Sequence, residues 1–225
     1  MYLRLLTWNM NKGFARKSGH VTSLQPDIAI LQEVRKECLH KTGLLPNAVW
    51  MGREGHHGLA AVAFGNWRIN PVPIAVSENW FMPLVASNGT TSFQIVAVQV
   101  SAKGRYVPAA LNAIAQLSDF IRTEPTLIAG DFNGSVKFPR KPPFGDVLAA
   151  LGDLGLHSAW HGSMGEAHGQ ESRATYYRYL RAYEPSHIDY VFHPASLPVE
   201  RITIGSFEAS IKISDHAPIV VDFSV

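Results

Sequence analysis

The stretch TLIAGDFN, residues 126–133, carries the pattern on which the fold prediction depends. Its apolar first half predicts a short buried strand over Thr126–Gly130 that leads directly into Asp131. A buried strand has no packing use for a carboxylate, because burying an unpaired charge costs free energy. Asp131 therefore marks a strand end that is a candidate for chemistry.

Polar side chains end or interrupt several other apolar runs in the same way. These are Asn9 after LLTW, Glu33 after AILQ, Asp189 within HIDYVF, and Asp215-His216 just before APIV. At strand ends such groups can converge on one cleft and hold a hard cation through oxygen ligands. The pattern alone favours a metal-assisted hydrolytic site over ordinary strand termini.

The remaining apolar runs predict a fold dominated by strands, with a few helices. Helical spacing of apolar residues predicts a helix over Tyr106–Thr123, and a shorter helix is expected at Pro142–Leu151. Two packed sheets flanked by helices, an α/β arrangement, accommodate this order. Further strands are predicted at Leu3–Met10, Asp27–Glu33, Gly58–Phe64, Phe81–Ala86, Thr91–Val100, Ala174–Tyr179, Ile188–Phe192, Arg201–Ile204 and Ile219–Phe223.

Composition limits the class of protein. A chain of 225 residues, 46% of them apolar, predicts a single domain over residues 1–225. The single cysteine, Cys38, excludes an internal disulfide framework and favours a reducing compartment, so we expect a cytoplasmic protein. The longest uncharged stretch, residues 79–102, is broken by proline, glycine and hydroxyl residues, so no membrane span is expected.

Five of the segments described above also carry a resemblance to a known family. TWNM (7–10), LQEV (31–34), GDFN (130–133), HIDYVF (187–192) and SDHAPI (214–219) resemble, in order, the motifs of the endonuclease/exonuclease/phosphatase superfamily, which includes DNase I-like and AP-endonuclease-like enzymes. The resemblance implies a four-layer α/β sandwich, in which two mixed sheets pack face to face with helices outside. It also implies phosphoester hydrolysis that depends on Mg²⁺ or Mn²⁺.

The resemblance also implies a role for each matched metal-side residue. Glu33 would be the main metal ligand, and Asn9 would lie beside the metal and the phosphate. Asp215 would sit at the metal side of its loop.

The other matched residues would carry the reaction. Asp131 would orient and deprotonate the attacking water, and Asn133 would hold Asp131 and the phosphate. Asp189 would pair with His216. A neighbouring carboxylate favours the charged imidazolium, which can donate to a phosphate oxygen.

Four further residues are candidates for substrate binding. The family usually has His or Tyr at the end of the central strand, where this chain has Gln99, a donor that cannot carry charge. Arg105 lies in a loop that faces the cleft in relatives. Arg173 and Tyr176 belong to an Arg/Tyr-rich segment before Asp189. They are candidates because arginine binds phosphate and tyrosine stacks on bases. The basic segment 137–141 is expected at the cleft rim.

These features favour a metal-dependent nuclease, most simply a monomer, with nucleic acid as its substrate. Two alternatives remain open at this point. One is a phosphatase or phosphodiesterase acting on a small or lipid-linked phosphoester. The other is a non-catalytic nucleic-acid-binding member of the same fold.

A histidine-rich segment has a spacing that superficially resembles a helical zinc site. Its members are His157, His161 and His168. Ser158 stands where such a site needs a glutamate, and the glycines at 162, 165 and 169 predict a loop. We therefore expect no zinc binding by these three histidines.

Overall fold

A computed structural model describes residues 2–78, 80–101 and 104–225. Its strands are β1 Tyr2–Asn9, β2 Ile28–Val34, β3 Ala48–Met51, β4 Gly58–Ala63, β5 Arg68–Pro71, β6 Phe81–Ser87, β7 Ser92–Gln99, β8 Thr126–Asp131, β9 Leu156–Ser158, β10 Tyr176–Tyr177, β11 Pro185–Ser186, β12 Asp189–Pro194, β13 Val199–Ile204 and β14 Ile219–Ser224. Its α-helices are α1 Phe14–Ser23, α2 Lys36–Lys41, α3 Tyr106–Thr123, α4 Phe144–Asp153, α5 Ala159–Met164 and α6 Phe207–Ser210. Short 3₁₀ turns cover Leu45–Asn47 and Arg178–Leu180.

The long strands form two mixed six-stranded sheets, in the orders β13-β14-β1-β2-β4-β3 and β5-β6-β7-β8-β12-β9. Each sheet has a parallel pair near its centre, β1 with β2 and β7 with β8, and its other pairs are antiparallel. The short strands β10 and β11 form a separate antiparallel pair. The predicted α/β fold with two mixed sheets is confirmed.

The sheets pack face to face, and helices cover their outer faces. Successive residues of a strand face opposite sides of its sheet. In β2, Ile28 and Ile30 enter the core between the sheets, where they join Ile95 and Leu127 of the second sheet. Leu31 faces the other way, into the cluster that includes Phe14 and Val21 of α1 and Leu39 of α2; α3 and α4 cover the second sheet in the same manner. The result is the expected four-layer order.

Strand register brings the candidate residues to one end of the sandwich. Asp131 at the end of β8 is paired with Gln99 at the end of β7 and with Asp189 at the start of β12. Asn9 ends β1 and is paired with Gln32, the neighbour of Glu33, in β2. Each of these polar groups therefore lies at or beside a strand end, on the same side of the sandwich.

Glycine is required at position 130, immediately before Asp131. Gly130 has φ +149°, and a Cβ there would lie 1.8 Å from the carbonyl oxygen of Val98 on the neighbouring strand. Only a residue without a side chain lets β7 and β8 approach this closely. The close approach keeps Asp131 in register with Gln99.

Two local predictions need correction. The strand expected over Ala174–Tyr179 is limited to β10, because Tyr179 and Leu180 adopt the left-handed region with φ 54° and 58°, which ends the extended chain. The loop expected around Gly162 begins instead as helix α5. No helix among the described residues has both the length and the apolarity needed to cross a membrane.

Candidate active site

Two carboxylates and an imidazole form the centre of the site. One ligand atom from each of Asp131, Asp189 and His216 lies within 4.8 Å of the others. The residues are 1%, 2% and 5% exposed, so the group is almost completely withdrawn from water. They come from the ends of β8 and β12 and from the loop before β14, and this convergence agrees with the strand-end pattern of the sequence.

Asp131 is held by amide donors on both of its oxygens. Its Oδ1 accepts a hydrogen bond from the backbone N–H of Asn133 at 2.8 Å, and its Oδ2 accepts from Asn133 Nδ2 and Asn9 Nδ2 at 3.1 Å each. Burial and the nearby charge of Asp189 raise the pKa of Asp131 to about 7, although His216 and the amide donors act in the opposite direction. Asp131 thus has a fixed orientation, and its pKa lies near neutral pH.

Asn133 adopts an unusual backbone conformation to make these bonds. Its φ is +48°, in the left-handed region that asparagine tolerates better than most residues. Its Nδ2 also donates to the carbonyl of Val100 at 2.9 Å, which ties the loop after β8 to the end of β7. The amide therefore fixes Asp131 with respect to the neighbouring strand.

Asp189 and His216 form a buried ion pair. His216 Nδ1 donates to Asp189 Oδ2 at 2.9 Å. Burial alone would lower the pKa of His216, but the Asp189 charge and hydrogen bond outweigh it and raise the pKa to about 9. Among the described residues, Asp189 Oδ1 is one of the buried side-chain oxygens without a hydrogen-bond partner.

Neighbouring groups fix the position of this pair. Thr175 Oγ1 accepts the backbone N–H of Asp189 at 3.0 Å, and Trp8 Nε1 donates to the carbonyl of His216 at 2.8 Å. The ring of Tyr176 lies 4.7 Å from that of His216. Because Nδ1 of His216 is engaged by Asp189, Nε2 is the atom left to donate to a substrate. Thr175 carries no motif signal, whereas Trp8 lies within TWNM but has no predicted role in the site.

A second acidic group lies on the α1 side of the site. Burial lowers the pKa of Lys17, while the charges of Asp215 and Glu33 both act to raise it, so both carboxylates lie near this one ammonium group. Lys17 Nζ donates to the carbonyls of Met10 and Asn11 at 2.5 Å and 3.2 Å. Glu33 has φ +58° at an irregularity between Leu31 and Val34 in the β2–β4 pairing.

The donor chemistry of this second group fits a hard divalent cation. Glu33 and Asp215 offer carboxylate oxygens, the ligand type that Mg²⁺ and Mn²⁺ prefer. Asn9 connects the two halves of the site, because its Nδ2 donates to Asp131 while its Oδ1 accepts the backbone N–H of Asn11 at 2.9 Å. Lys17, which the sequence analysis did not single out, adds positive charge beside the two carboxylates.

Gln99 connects the acidic group with the centre of the site. It is paired with Asp131 in the parallel β7–β8 register, and its Oε1 lies 3.5 Å from the backbone N–H of Glu33. Its side chain therefore extends toward the metal-side residue and leaves the amide nitrogen as the free donor end.

An open cleft of about 700 Å³ adjoins the central residues. Asn133 and Tyr176 lie in its wall, as do Phe138, Pro139 and Arg140 of the expected basic rim. Arg178 and Tyr106 line it as well, and the guanidinium of Arg140 lies 4.8 Å from the centre of the Tyr106 ring. The cleft wall therefore carries arginine and aromatic side chains together with Glu184, which is paired with Arg178 at 3.8 Å.

The structure separates the remaining substrate candidates. Tyr176 lines the cleft, whereas Arg173 lines a different cavity, of about 310 Å³, together with Lys137 and His187. Arg105 is exposed immediately before α3, next to Tyr106. Lys103, two residues before Arg105, lies outside the described residues.

Comparisons with known proteins agree with this geometry. A sequence model described as the endonuclease/exonuclease/phosphatase family matches residues 6–216. No curated protein matches the chain.

Solved structures with the same fold have little sequence similarity to this chain. Truncated TDP2 from Caenorhabditis elegans has a TM-score of 0.74 at 15% identity, covering 100% of this chain and 98% of its own. The 3′ phosphatase NExo from Neisseria, bound to a product DNA hairpin, has a TM-score of 0.71 at 19% identity and covers 99% and 100%. The endonuclease domain of the telomere-specific retrotransposon TRAS1 has a TM-score of 0.74 at 15% identity and covers 99% and 98%. These similarities establish the fold.

Proposed function

The chain belongs to the endonuclease/exonuclease/phosphatase family, and from this premise we propose that it is a divalent-metal-dependent phosphodiester hydrolase acting on nucleic acid. The observation that carries the proposal is the buried Asp131–Asp189–His216 group beside an open cleft whose wall includes Asn133 and Tyr176, which contact that group. Residues 1–225 would form one catalytic domain.

Asp131 is the general base for the attacking water. A base is most effective when its pKa lies near the working pH, and burial raises that of Asp131 to about 7. Three amide hydrogen bonds from Asn9 and Asn133 fix the direction of its lone pairs. Asn133 also lines the cleft, so its amide lies where a phosphate would enter.

His216 is the donor to a non-bridging phosphate oxygen. With a pKa raised to about 9 by Asp189, the imidazole keeps its proton at neutral pH and adds positive charge where the transition state gains negative charge. Asp189 is a positioning residue, since it acts on substrate only through His216. Tyr176 packs against the His216 ring on the cleft side.

Glu33, Asp215 and the side-chain oxygen of Asn9 would hold Mg²⁺ or Mn²⁺. When bound, the ion supplies positive charge to the phosphoryl oxygens and helps to orient the substrate. The charges of Glu33 and Asp215 both act on Lys17, so the two carboxylates are within electrostatic range of one ammonium group, which supports this assignment. Gln99, with its free amide beside Glu33, is a further donor to the same phosphate.

Nucleic acid is the substrate class that suits the cleft. Arg140 and Arg178 offer cations for backbone phosphates, and Tyr106, Phe138 and Tyr176 offer ring faces for bases. NExo is described as a 3′ phosphatase and TRAS1 as having an endonuclease domain. The first of these keeps terminal phosphate removal as a second candidate.

The direct test compares hydrolysis of plasmid DNA, single-stranded DNA, RNA, a 3′-phosphorylated oligonucleotide and a small chromogenic phosphodiester. Each is measured with Mg²⁺, Mn²⁺ or chelator. We expect chelator-sensitive hydrolysis that falls by at least about 10²-fold in Asp131→Asn. The exposed Asp153→Asn, at the end of α4, is the matched control. Nucleic-acid binding without turnover on any substrate would favour a non-catalytic member of the fold.

A pair of arginine variants tests the substrate surface. Arg178→Ala removes a cation that lines the cleft, whereas Arg173→Ala removes one that lines the separate cavity. DNA affinity and its salt dependence should fall more for Arg178→Ala than for Arg173→Ala. A variant that has lost a phosphate contact releases fewer counterions when it binds DNA. An equal fall in both variants would place Arg173 on the substrate as well.

A further inference from the structure

A second group of metal-ligating side chains lies away from the acidic centre. His161 of α5, His168 and Glu171 each offer one ligand atom, and these atoms lie within 4.8 Å of one another. His161 Nε2 is 3.3 Å from Glu171 Oε1, and the rings of His161 and His168 lie 3.5 Å apart between centroids. The two rings are stacked at an interplanar angle of 23°, so His168 would turn its ring to direct a nitrogen at an ion held by His161 and Glu171.

A third histidine, beside this group, has a buried nitrogen without a partner among the described residues. His187 is 2% exposed, and its ring lies 5.4 Å from that of His161. Its Nδ1 is 3.0 Å from the carbonyl oxygen of Arg173, which can only accept, so Nδ1 carries the proton and Nε2 of the neutral ring has a free lone pair. Among the described residues, His187 Nε2 and His168 Nδ1 are buried atoms without hydrogen-bond partners.

Buried lone pairs of this kind cost free energy unless something occupies them. A divalent transition metal is such an occupant, since imidazole nitrogen and carboxylate oxygen are the ligands that Zn²⁺ prefers outside cysteine sites. Two ligands of a tetrahedral zinc, each about 2.0–2.1 Å from the ion, lie about 3.3 Å apart. The separation between His161 Nε2 and Glu171 Oε1 matches that spacing.

The surrounding bonds orient these ligands. His161 Nδ1 lies 2.7 Å from Ser158 Oγ, which leaves Nε2 for the ion. The Glu171 side chain is 2% exposed, and its Oε1 accepts the backbone N–H of Gly169 at 2.7 Å. Outer-shell bonds of this type fix the ring orientation and tautomer of metal-binding histidines.

We propose that His161, His168 and Glu171 form a structural Zn²⁺ site; His187, whose ring lies 5.4 Å from that of His161, is the candidate fourth ligand. The site would join α5 to the segment that precedes β10 and to the entrance of β12. His187 stands two residues before Asp189, and Tyr190 Oη donates to the carbonyls of His187 and Gly134, so the zinc would brace the strand and the loop that carry the acidic centre. The site is separate from the proposed Mg²⁺ ligands and does not depend on the phosphoesterase assignment.

Zinc titration of the metal-free full chain, with saturating Mg²⁺ present to occupy the acidic site, tests the proposal. Calorimetry should show one tight site, and Zn²⁺ at about 100-fold above its Kd should raise Tm by about 5–10 °C. His168→Gln and Glu171→Gln should each weaken zinc binding by at least about 100-fold, because loss of an outer-shell partner alone costs about 10–100-fold. His157→Gln, an exposed histidine on β9, is the matched control.

Two results would overturn the proposal. The first is that the parent chain binds no zinc. The second is that Glu171→Gln, His168→Gln and the parent bind zinc with equal affinity, which would place the ion elsewhere. Co²⁺ in place of Zn²⁺ reports the fourth ligand through its visible absorption. A tetrahedral spectrum that changes in His187→Gln supports His187 as a ligand, and an unchanged spectrum removes it from the set.

Discussion

Asp189→Asn isolates the contribution of one buried charge to the site. Asparagine keeps the shape and an acceptor oxygen for His216 Nδ1, but it removes the negative charge. Asp189 holds the pKa of His216 at about 9 instead of 6.5, a difference worth about 3 kcal/mol in the free energy of protonation. Without that charge, burial dominates and the pKa should fall below its ordinary value.

The expected loss of activity follows from the fraction of imidazolium. At pH 8 a group of pKa 9 is about nine-tenths protonated, and a group of pKa 6.5 is about 3% protonated. Hydrolysis should therefore fall by at least about 30-fold at pH 8 and by less as the pH is lowered. The same substitution removes a charge that raises the pKa of Asp131, so the base also ionises at lower pH. Both effects move the pH optimum toward acid.

The assay combines an NMR titration of His216 with the pH profile of kcat/KM at saturating Mg²⁺. Asp153→Asn serves as the control for loss of a carboxylate elsewhere on the chain. A His216 pKa that stays near 9 in Asp189→Asn would refute the electrostatic reasoning. So would a loss of activity of the same size at every pH, which would indicate a structural effect of the substitution.

Three further predictions concern the metal, the phosphate contact and stability. Glu33→Gln should lower Mg²⁺ affinity and activity together, and a calorimetric affinity equal to that of the parent would remove Glu33 from the ligand set. Gln99→Ala should slow hydrolysis by about 10-fold to 10³-fold with little effect on metal binding, whereas Gln99→His should keep activity and add a pH dependence near neutrality; parental rates in both would place the contact elsewhere. Without divalent metal, Tm should fall as pH rises from about 7 to 9, because folding raises the pKa of His216 from 6.5 to about 9, so this histidine binds more protons in the folded state than in the unfolded state across that range. Below pH 7 the lowered pKa of His168, at about 4, acts in the opposite direction to the raised pKa of Asp131. A Tm that rises from pH 7 to 9 would contradict the shift of His216.

The position of the acidic centre could be predicted because the physical cause is local. An apolar run such as TLIAG forms a buried strand, and a carboxylate that follows it lies at the end of that strand, where the sheet stops. Once two sheets are expected, several such ends converge. The antiparallel register that sets Asp189 opposite Asp131 is a long-range property, and no local pattern specifies it.

The supporting contacts were not predictable for a related reason. Thr175, which accepts the N–H groups of Ile188 and Asp189, has no sequence feature that distinguishes it from any other threonine. The apolar and aromatic pattern predicts a strand over Ala174–Tyr179, but Tyr179 and Leu180 adopt positive φ and end the extended chain. Backbone conformation at non-glycine residues of this kind depends on tertiary contacts.

The histidine group shows the limit of spacing arguments. The spacing of His157, His161 and His168 resembles a helical zinc site because a helix would place the first two on one face. The structure puts His157 on β9, where it is paired with His193, and brings His161 and His168 to Glu171 through a turn after α5. The glutamate comes from three residues beyond His168, a position that a helical template does not include.

Isotope incorporation during a single turnover tests the central claim most directly. The parent chain is mixed with a DNA substrate and Mg²⁺ in water enriched in ¹⁸O, and the phosphate-bearing product is analysed by mass spectrometry. Activation of water by Asp131 predicts one solvent oxygen on the product phosphate, no product in chelator, and a rate at least about 10²-fold lower in Asp131→Asn. Cleavage without solvent oxygen on the phosphate, or an undiminished rate in Asp131→Asn, would contradict the account.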